Sequence, residues 1–158
     1  MRHAFDGLVL LVEVCRRVGV PAAVWSFASR CREELAWEAP LDAATRRRLG
    51  NLPATCGGMT QMAPALDAVR KALARRRGAP KLLFVLSDGE PDNAAAATAA
   101  VHRLDEAGIG SIGLGLGSEA GGLARLFPRS VTGIPPARLV DHLGVLLEST
   151  LAVLPGVR

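Results

Sequence analysis

Two side chains with hard oxygen donors stand in loops that each run into a helix. Thr60 lies in Cys56-Gly-Gly-Met-Thr60-Gln-Met, and Asp88 lies in Ser87-Asp88-Gly89-Glu90-Pro91-Asp92. Hydroxyl and carboxylate oxygens are the ligands Mg²⁺ takes, and that ion often keeps several waters beside one or two protein groups. The same residues have a plainer use: Thr60 caps a helix that starts near Met62, and Asp88 forms an Asx turn ahead of Gly89. On residue type and spacing alone, both readings stand.

Other chemistries find weaker footing. Gly108, Gly110 and Gly113 spell G-x-G-x-x-G, but they enter and lie inside a predicted strand, whereas a dinucleotide loop must follow a strand and open a helix. The loop Gly115–Gly122 is better placed and carries the rival reading, a small nucleotide-dependent enzyme. No acidic residue follows it at the spacing of a ribose contact. The sequence has no G-x-x-x-x-G-K-[ST] loop and no G-x-S-x-G elbow, so phosphoryl and acyl transfer lack their usual signatures. His3, His102 and His142 are far apart, with no partner at metal-ligand spacing. Cys15, Cys31 and Cys56 are odd in number and form no C-x-x-C pair; they read as core-filling residues of a protein in a reducing cytoplasm.

The elements that must position these loops alternate between helical and strand-like patterning, which predicts an α/β layer fold with a mostly parallel sheet. Phe5, Leu8, Val12 and Cys15 recur at helical spacing until Gly19 and Pro21, and a strand follows from Ala22 to Phe27. A short edge strand is expected at Ala36–Trp37, and Asp42 is expected to cap a small helix ending near Leu49–Gly50. Met62, Leu66, Val69 and Leu73 mark an amphipathic helix that ends in Arg75, Arg76 and Arg77, a sign of charge suited to the negative end of the helix dipole. The uninterrupted apolar run Lys81–Ser87 predicts a central parallel strand covered on both faces, and it delivers Asp88 to the carboxyl end of the sheet, where open α/β folds place their sites. A helix from Asn93 to Ala107, a strand Ile109–Leu116, a short helix Ala120–Phe127 and a brief strand Arg129–Thr132 follow. Pro135–Pro136 opens a final helix whose buried stripe is Leu139, Leu143, Leu146 and Thr150.

The 158 residues are 49% hydrophobic and 22% charged, which suits a folded domain rather than a disordered tail. No apolar run approaches the about 20 residues of a bilayer span, and Asp6 and Glu13 break any signal-peptide core. A membrane location and secretion are therefore not expected. Nineteen Lys and Arg against fifteen Asp and Glu leave a net charge of +4. The basic runs Arg46–Arg48 and Arg75–Arg77 lack interleaved aromatics, and with no Tyr and 4% aromatic residues the chain offers few stacking platforms. This argues against nucleic acid as the main partner.

Phe84-Val-Leu-Ser-Asp88-Gly-Glu-Pro-Asp92 resembles the strand-and-loop signature of von Willebrand factor A domains, and Cys56-Gly-Gly-Met-Thr60-Gln-Met-Ala-Pro-Ala-Leu66 resembles their threonine loop. The likeness continues through Gly113-Leu-Gly-Leu-Gly117 and the final helix, over nearly the whole chain. It implies a Rossmann-like three-layer sandwich and a metal-ion-dependent adhesion site, made from a D-x-S-x-S loop after the first strand, a threonine and an aspartate. By that resemblance Thr60 and Asp88 hold Mg²⁺, while Glu90 and Asp92 tune the partner-binding rim. Family members often continue from D-x-S-x-S directly into Met and a basic residue, and here Met1-Arg2 opens the chain. The expectation is one domain over residues 1–158 that lacks its first strand and first metal loop, with Met1 internal to a longer reading frame; the competing explanation is a truncated, metal-free variant. Mg²⁺ is then expected to bind weakly or not at all to the chain as given. Val20-Pro-Ala-Ala-Val-Trp-Ser-Phe27, Ile112–Gly117 and Leu126-Phe-Pro-Arg-Ser-Val131 look most like the intracellular bacterial branch. That branch includes the C-terminal domain of the cobalt chelatase subunit and the nitric-oxide-reductase activation protein. This likeness implies a non-catalytic module in a chelatase-like or enzyme-activation complex, partnered by a AAA+ ATPase or another acidic partner.

Overall fold

The structure is a computed structural model that describes residues 2–52, 59–78, 80–117, 121–135, 138–139 and 141–146, with the side chains of residues 2–7 outside the description. The chain divides into two compact units, one of residues 1–24, 33–56 and 135–158, the other of residues 25–32 and 57–134.

In the first unit, α1 spans Arg2–Arg17 and turns its apolar stripe inward: Val12 and Cys15 are buried, and Leu8 and Val9 pack on the same cluster. The stripe meets Val24, Leu35, Leu49 and Leu52, so α1 and the short α2, Ala43–Gly50, share one core. Asp42 caps α2 as its sequence indicated, accepting the Thr45 N–H at 2.7 Å. That hydrogen bond holds the Asp42 carboxyl below its ordinary range. Arg46 of the basic run reaches back to Glu13 at 2.7 Å. Farther along, Leu139 and Leu143 are buried as the final stripe requires; Pro136 and Thr150 lie outside the described residues.

Strand β1, Val24–Phe27, and strand β2, Cys31–Leu35, pair as a two-stranded sheet. The edge strand expected at Ala36–Trp37 is displaced to β2, and Trp37 lies in a turn. The reason is Leu35, which is 2% exposed and anchors a strand whose Arg32 and Glu33 face solvent. A short apolar pair after a charged stretch drew the strand too late.

The second unit is built on a parallel sheet of three strands in the order β3 (Lys81–Ser87), β4 (Ile109–Leu116) and β5 (Arg129–Ile134). Both β3 and β4 have the bounds that their apolar runs predict. Among the described residues, however, β3 is an edge of this sheet and β4 is its middle, with Ile112 and Leu114 at 1% and 0% exposure. Helix α3, Met62–Ala74, buries Met62, Leu66, Val69 and Leu73 and packs against α4, Ala94–Glu106. Asn93 caps α4 by accepting the Ala96 N–H at 2.9 Å, and α4 also packs on β4. The short α5, Leu123–Leu126, covers β4 and β5.

One ion pair joins α3 to α4. Arg103 donates to both carboxylate oxygens of Asp67, at 3.0 and 2.7 Å, and Arg70 adds a 3.4 Å contact. The Arg103 hydrogen bonds, with Arg70 behind them, hold the Asp67 carboxyl below its ordinary range. A carboxylate depressed by folding stabilises the fold above its unfolded value, about 3.9, and that contribution fades as pH falls through the lower folded value. Thermal melts should therefore show Asp67→Asn less stable than the parent at neutral pH, with the gap closing as pH falls below the ordinary carboxylate range. A gap that is the same at every pH would assign the loss to packing.

Candidate functional site

The carboxyl end of β3 leads into a tight loop closed by a side chain that sequence reading passed over. Ser87 is 8% exposed, and its hydroxyl donates to Gly89 O at 2.9 Å while accepting the Gly89 N–H at 3.3 Å. Asp88, at the tip of this closure, is exposed. The Asx turn weighed for Asp88 is replaced by this serine turn, which leaves the Asp88 carboxylate without a hydrogen-bond or ion-pair partner among the described residues.

Thr60 does not cap α3. The cap position is Gln61, with no side-chain cap bond, and the Thr60 backbone is used elsewhere. Its N–H donates to Asp92 Oδ1 at 2.8 Å, and its carbonyl accepts the Asp92 N–H at 3.1 Å and the Met62 N–H at 2.8 Å. The reciprocal pair clasps the threonine segment to the Asp88 loop. On the other side, Gln61 N–H donates to Ala28 O at 3.1 Å and Met59 N–H to Ser29 Oγ at 3.4 Å. Residues 59–61 are thus tied both to the turn after β1 and to the loop after β3. Asp92 therefore acts as a positioning group for Thr60, a role that the rim assignment did not include. Glu90 lies across the next loop: a Cβ built on Gly122 would come within 2.7 Å of Glu90 Oε1.

Thr60 and Asp88 present a hydroxyl and a carboxylate, the donor set of a hard divalent ion. No group of three or more His, Cys, Asp or Glu that could hold a metal occurs among the described residues. Two protein oxygens fit an ion that keeps most of its shell as water or takes further oxygens from elsewhere. Residues 53–58, which include Cys56 and the glycines before Met59, lie outside the described residues.

The glycines that suggested a nucleotide site are engaged in structure. Gly108 ends α4 with φ of 67°, a conformation other residues rarely adopt. Gly113 admits the buried Phe127 ring so closely that a Cβ there would stand 2.6 Å from Phe127 Cδ2. In the loop Gly115–Gly122, the Gly117 N–H is given to Ile134 O at 3.1 Å; residues 118–120 lie outside the described residues. Cys15 and Cys31 carry thiols pushed up by burial, the opposite of an activated nucleophile. No helix among the described residues is long and apolar enough to cross a membrane.

No curated protein matches the chain. Among solved structures, proximal thread matrix protein 1 from the mussel byssus superposes with a TM-score of 0.74 at 17% identity, over 95% of this chain and 43% of that one. The same protein with a zinc-occupied MIDAS motif superposes with a TM-score of 0.72 at 16% identity and the same coverage. The chain thus spans less than half of that protein's length, and the likeness shows a shared α/β fold. The family model for the von Willebrand factor type A domain, a metal-dependent protein-interaction fold, matches residues 2–123, and the chain belongs to that family.

Proposed function

We propose that this chain is a metal-assisted protein-interaction module with no catalysis of its own, in which Thr60 and Asp88 supply or orient oxygens around Mg²⁺. The observation that carries the reading is the Asp88 carboxylate, exposed and without a protein partner among the described residues, on a loop clasped to Thr60 through Asp92. Thr60 and Asp88 would hold the ion, which would supply a positive charge for an acidic side chain of the partner. Asp92 holds the Thr60 backbone, and Glu90 borders the contact. The partner class we favour is a AAA+ ATPase, in a cytoplasmic chelatase-like or enzyme-activation complex. The reading takes residues 1–158 as one domain, in a sequence that contains no D-x-S-x-S motif.

Calorimetric titration with Mg²⁺ tests this. The 158-residue chain should give little or no heat, because two protein oxygens leave the ion mainly to water. A chain with an apolar strand ending in D-x-S-x-S fused ahead of Met1 should bind clearly, and Asp88→Ala should abolish that binding. Tight binding by the 158-residue chain that survives Asp88→Ala would show the site to be elsewhere.

A further inference from the structure

Each loop of the candidate site runs directly into a helix. Gln61 alone separates Thr60 from α3, and Asn93 alone separates Asp92 from α4. Helix α3 leads into β3 and α4 connects β3 to the parallel strand β4, so the two helices run side by side away from the carboxyl end of the sheet. Farther along them, Arg103 Nε and Nη2 donate to the two oxygens of Asp67 at 3.0 and 2.7 Å. At a rise of about 1.5 Å per residue, this contact lies about 8 Å along α3 and about 14 Å along α4. A guanidinium fork on a carboxylate has a fixed orientation as well as an attraction, so it sets how far one helix slides past the other.

We propose that Asp67 and Arg103 are positioning residues of the candidate site: by fixing α4 against α3, they fix the Asp88 loop against Thr60. The clasp at the helix starts is the Thr60 N–H on Asp92 Oδ1 at 2.8 Å and the Asp92 N–H on the Thr60 carbonyl at 3.1 Å. A helix carries an axial slip along its whole length, and N–H···O bonds weaken beyond about 3.2 Å, so a slip of a few tenths of an ångström at the ion pair is felt at the clasp. The side chains of Arg103 and Asp67 are 41% and 30% exposed, so either is replaced without opening a cavity in the core. The inference rests on the proposed reading only in treating the two loops as one site. Its test uses no metal: a chain that never binds Mg²⁺ would leave it standing, and its failure would leave the metal reading untouched.

Amide hydrogen exchange of the 158-residue chain in EDTA, read by NMR, decides it. Local opening of the clasp exposes the Thr60 and Asp92 amides, whereas the Gly117 amide, bonded to the Ile134 carbonyl at the same end of the sheet, reports opening away from the two helices. Arg103→Gln should speed exchange at Thr60 and Asp92 about fivefold and leave Gly117 within about twofold of the parent. Asp67→Ala should give the same pattern, and the double variant should exchange no faster than either single one, because all three lose one shared contact. Unchanged exchange at Thr60 and Asp92 overturns the proposal. Equal acceleration at Gly117 also overturns it, since the pair would then act on overall stability alone. So does a double variant whose effects add, since the two side chains would then act through separate contacts.

Discussion

Gly113→Val is expected to cost about 2–3 kcal/mol, because β4 has no room for a side chain at that position. A Cβ there would stand 2.6 Å from Cδ2, 3.0 Å from Cγ and 3.2 Å from Cβ of Phe127, a residue that is 3% exposed. Valine also stiffens the unfolded chain, which offsets up to about 1 kcal/mol, less than the overpacking costs. For a chain of this size the melting temperature should fall by about 5–10 °C. Adding Phe127→Leu should recover part of the loss, so the double variant falls by less than the sum of the two single variants. An unchanged melting temperature for Gly113→Val would show that the strand and the Phe127 ring do not approach as described.

Among residues that do not touch the metal, Asp92→Ala should have the largest effect on the site. It removes the acceptor of the 2.8 Å hydrogen bond that holds the Thr60 N–H, leaving only the backbone half of the clasp. Groups that orient metal ligands without touching the metal typically contribute 10- to 100-fold to affinity, so about that loss of Mg²⁺ affinity is expected in the chain with the fused D-x-S-x-S strand. Asp92→Asn keeps an oxygen at the same atom and should lose far less. Calorimetry on the two variants separates positioning from charge: equal losses would mean that the negative charge of Asp92, rather than its hydrogen bond to Thr60, is what matters.

Strands and helices with a strong local signal were legible in the amino-acid order. Lys81–Ser87 and Ile109–Leu116 stand out because both faces of a parallel strand are apolar, and α3 and α4 follow the helical period of Leu66, Val69, Val101 and Leu104. Strand β2 was missed because Cys31–Leu35 is mostly charged and is held by pairing with β1 and by the single buried Leu35. The position of β3 at the edge of the sheet formed by the described residues could not be read either, since an apolar run reports burial and says nothing of which strand lies beside it. At the site, Thr60 and Asp88 were visible as oxygen donors in loops. Their connection was not: the clasp joins Thr60 to Asp92 across 32 positions of sequence, and the Ser87 turn depends on a hydroxyl that resembles any other strand-terminal serine.

The von Willebrand factor type A fold gives the chain a surface for protein contact, and its arginines offer a competing way to use it. Arg46–Arg48 and Arg75–Arg77 would attract any acidic surface diffusely, and salt would screen that attraction within about 8 Å at physiological ionic strength. A metal-bridged carboxylate is short-ranged and far less sensitive to salt. The decisive measurement is capture of a glutamate-bearing partner peptide by the chain with the fused D-x-S-x-S strand, in Mg²⁺ and in EDTA, at low and high salt. Metal bridging predicts that EDTA, Asp88→Ala and Thr60→Ala each abolish capture while raised salt only weakens it. Capture that survives EDTA and both substitutions, yet vanishes at high salt or when the two arginine runs are neutralised, would contradict it.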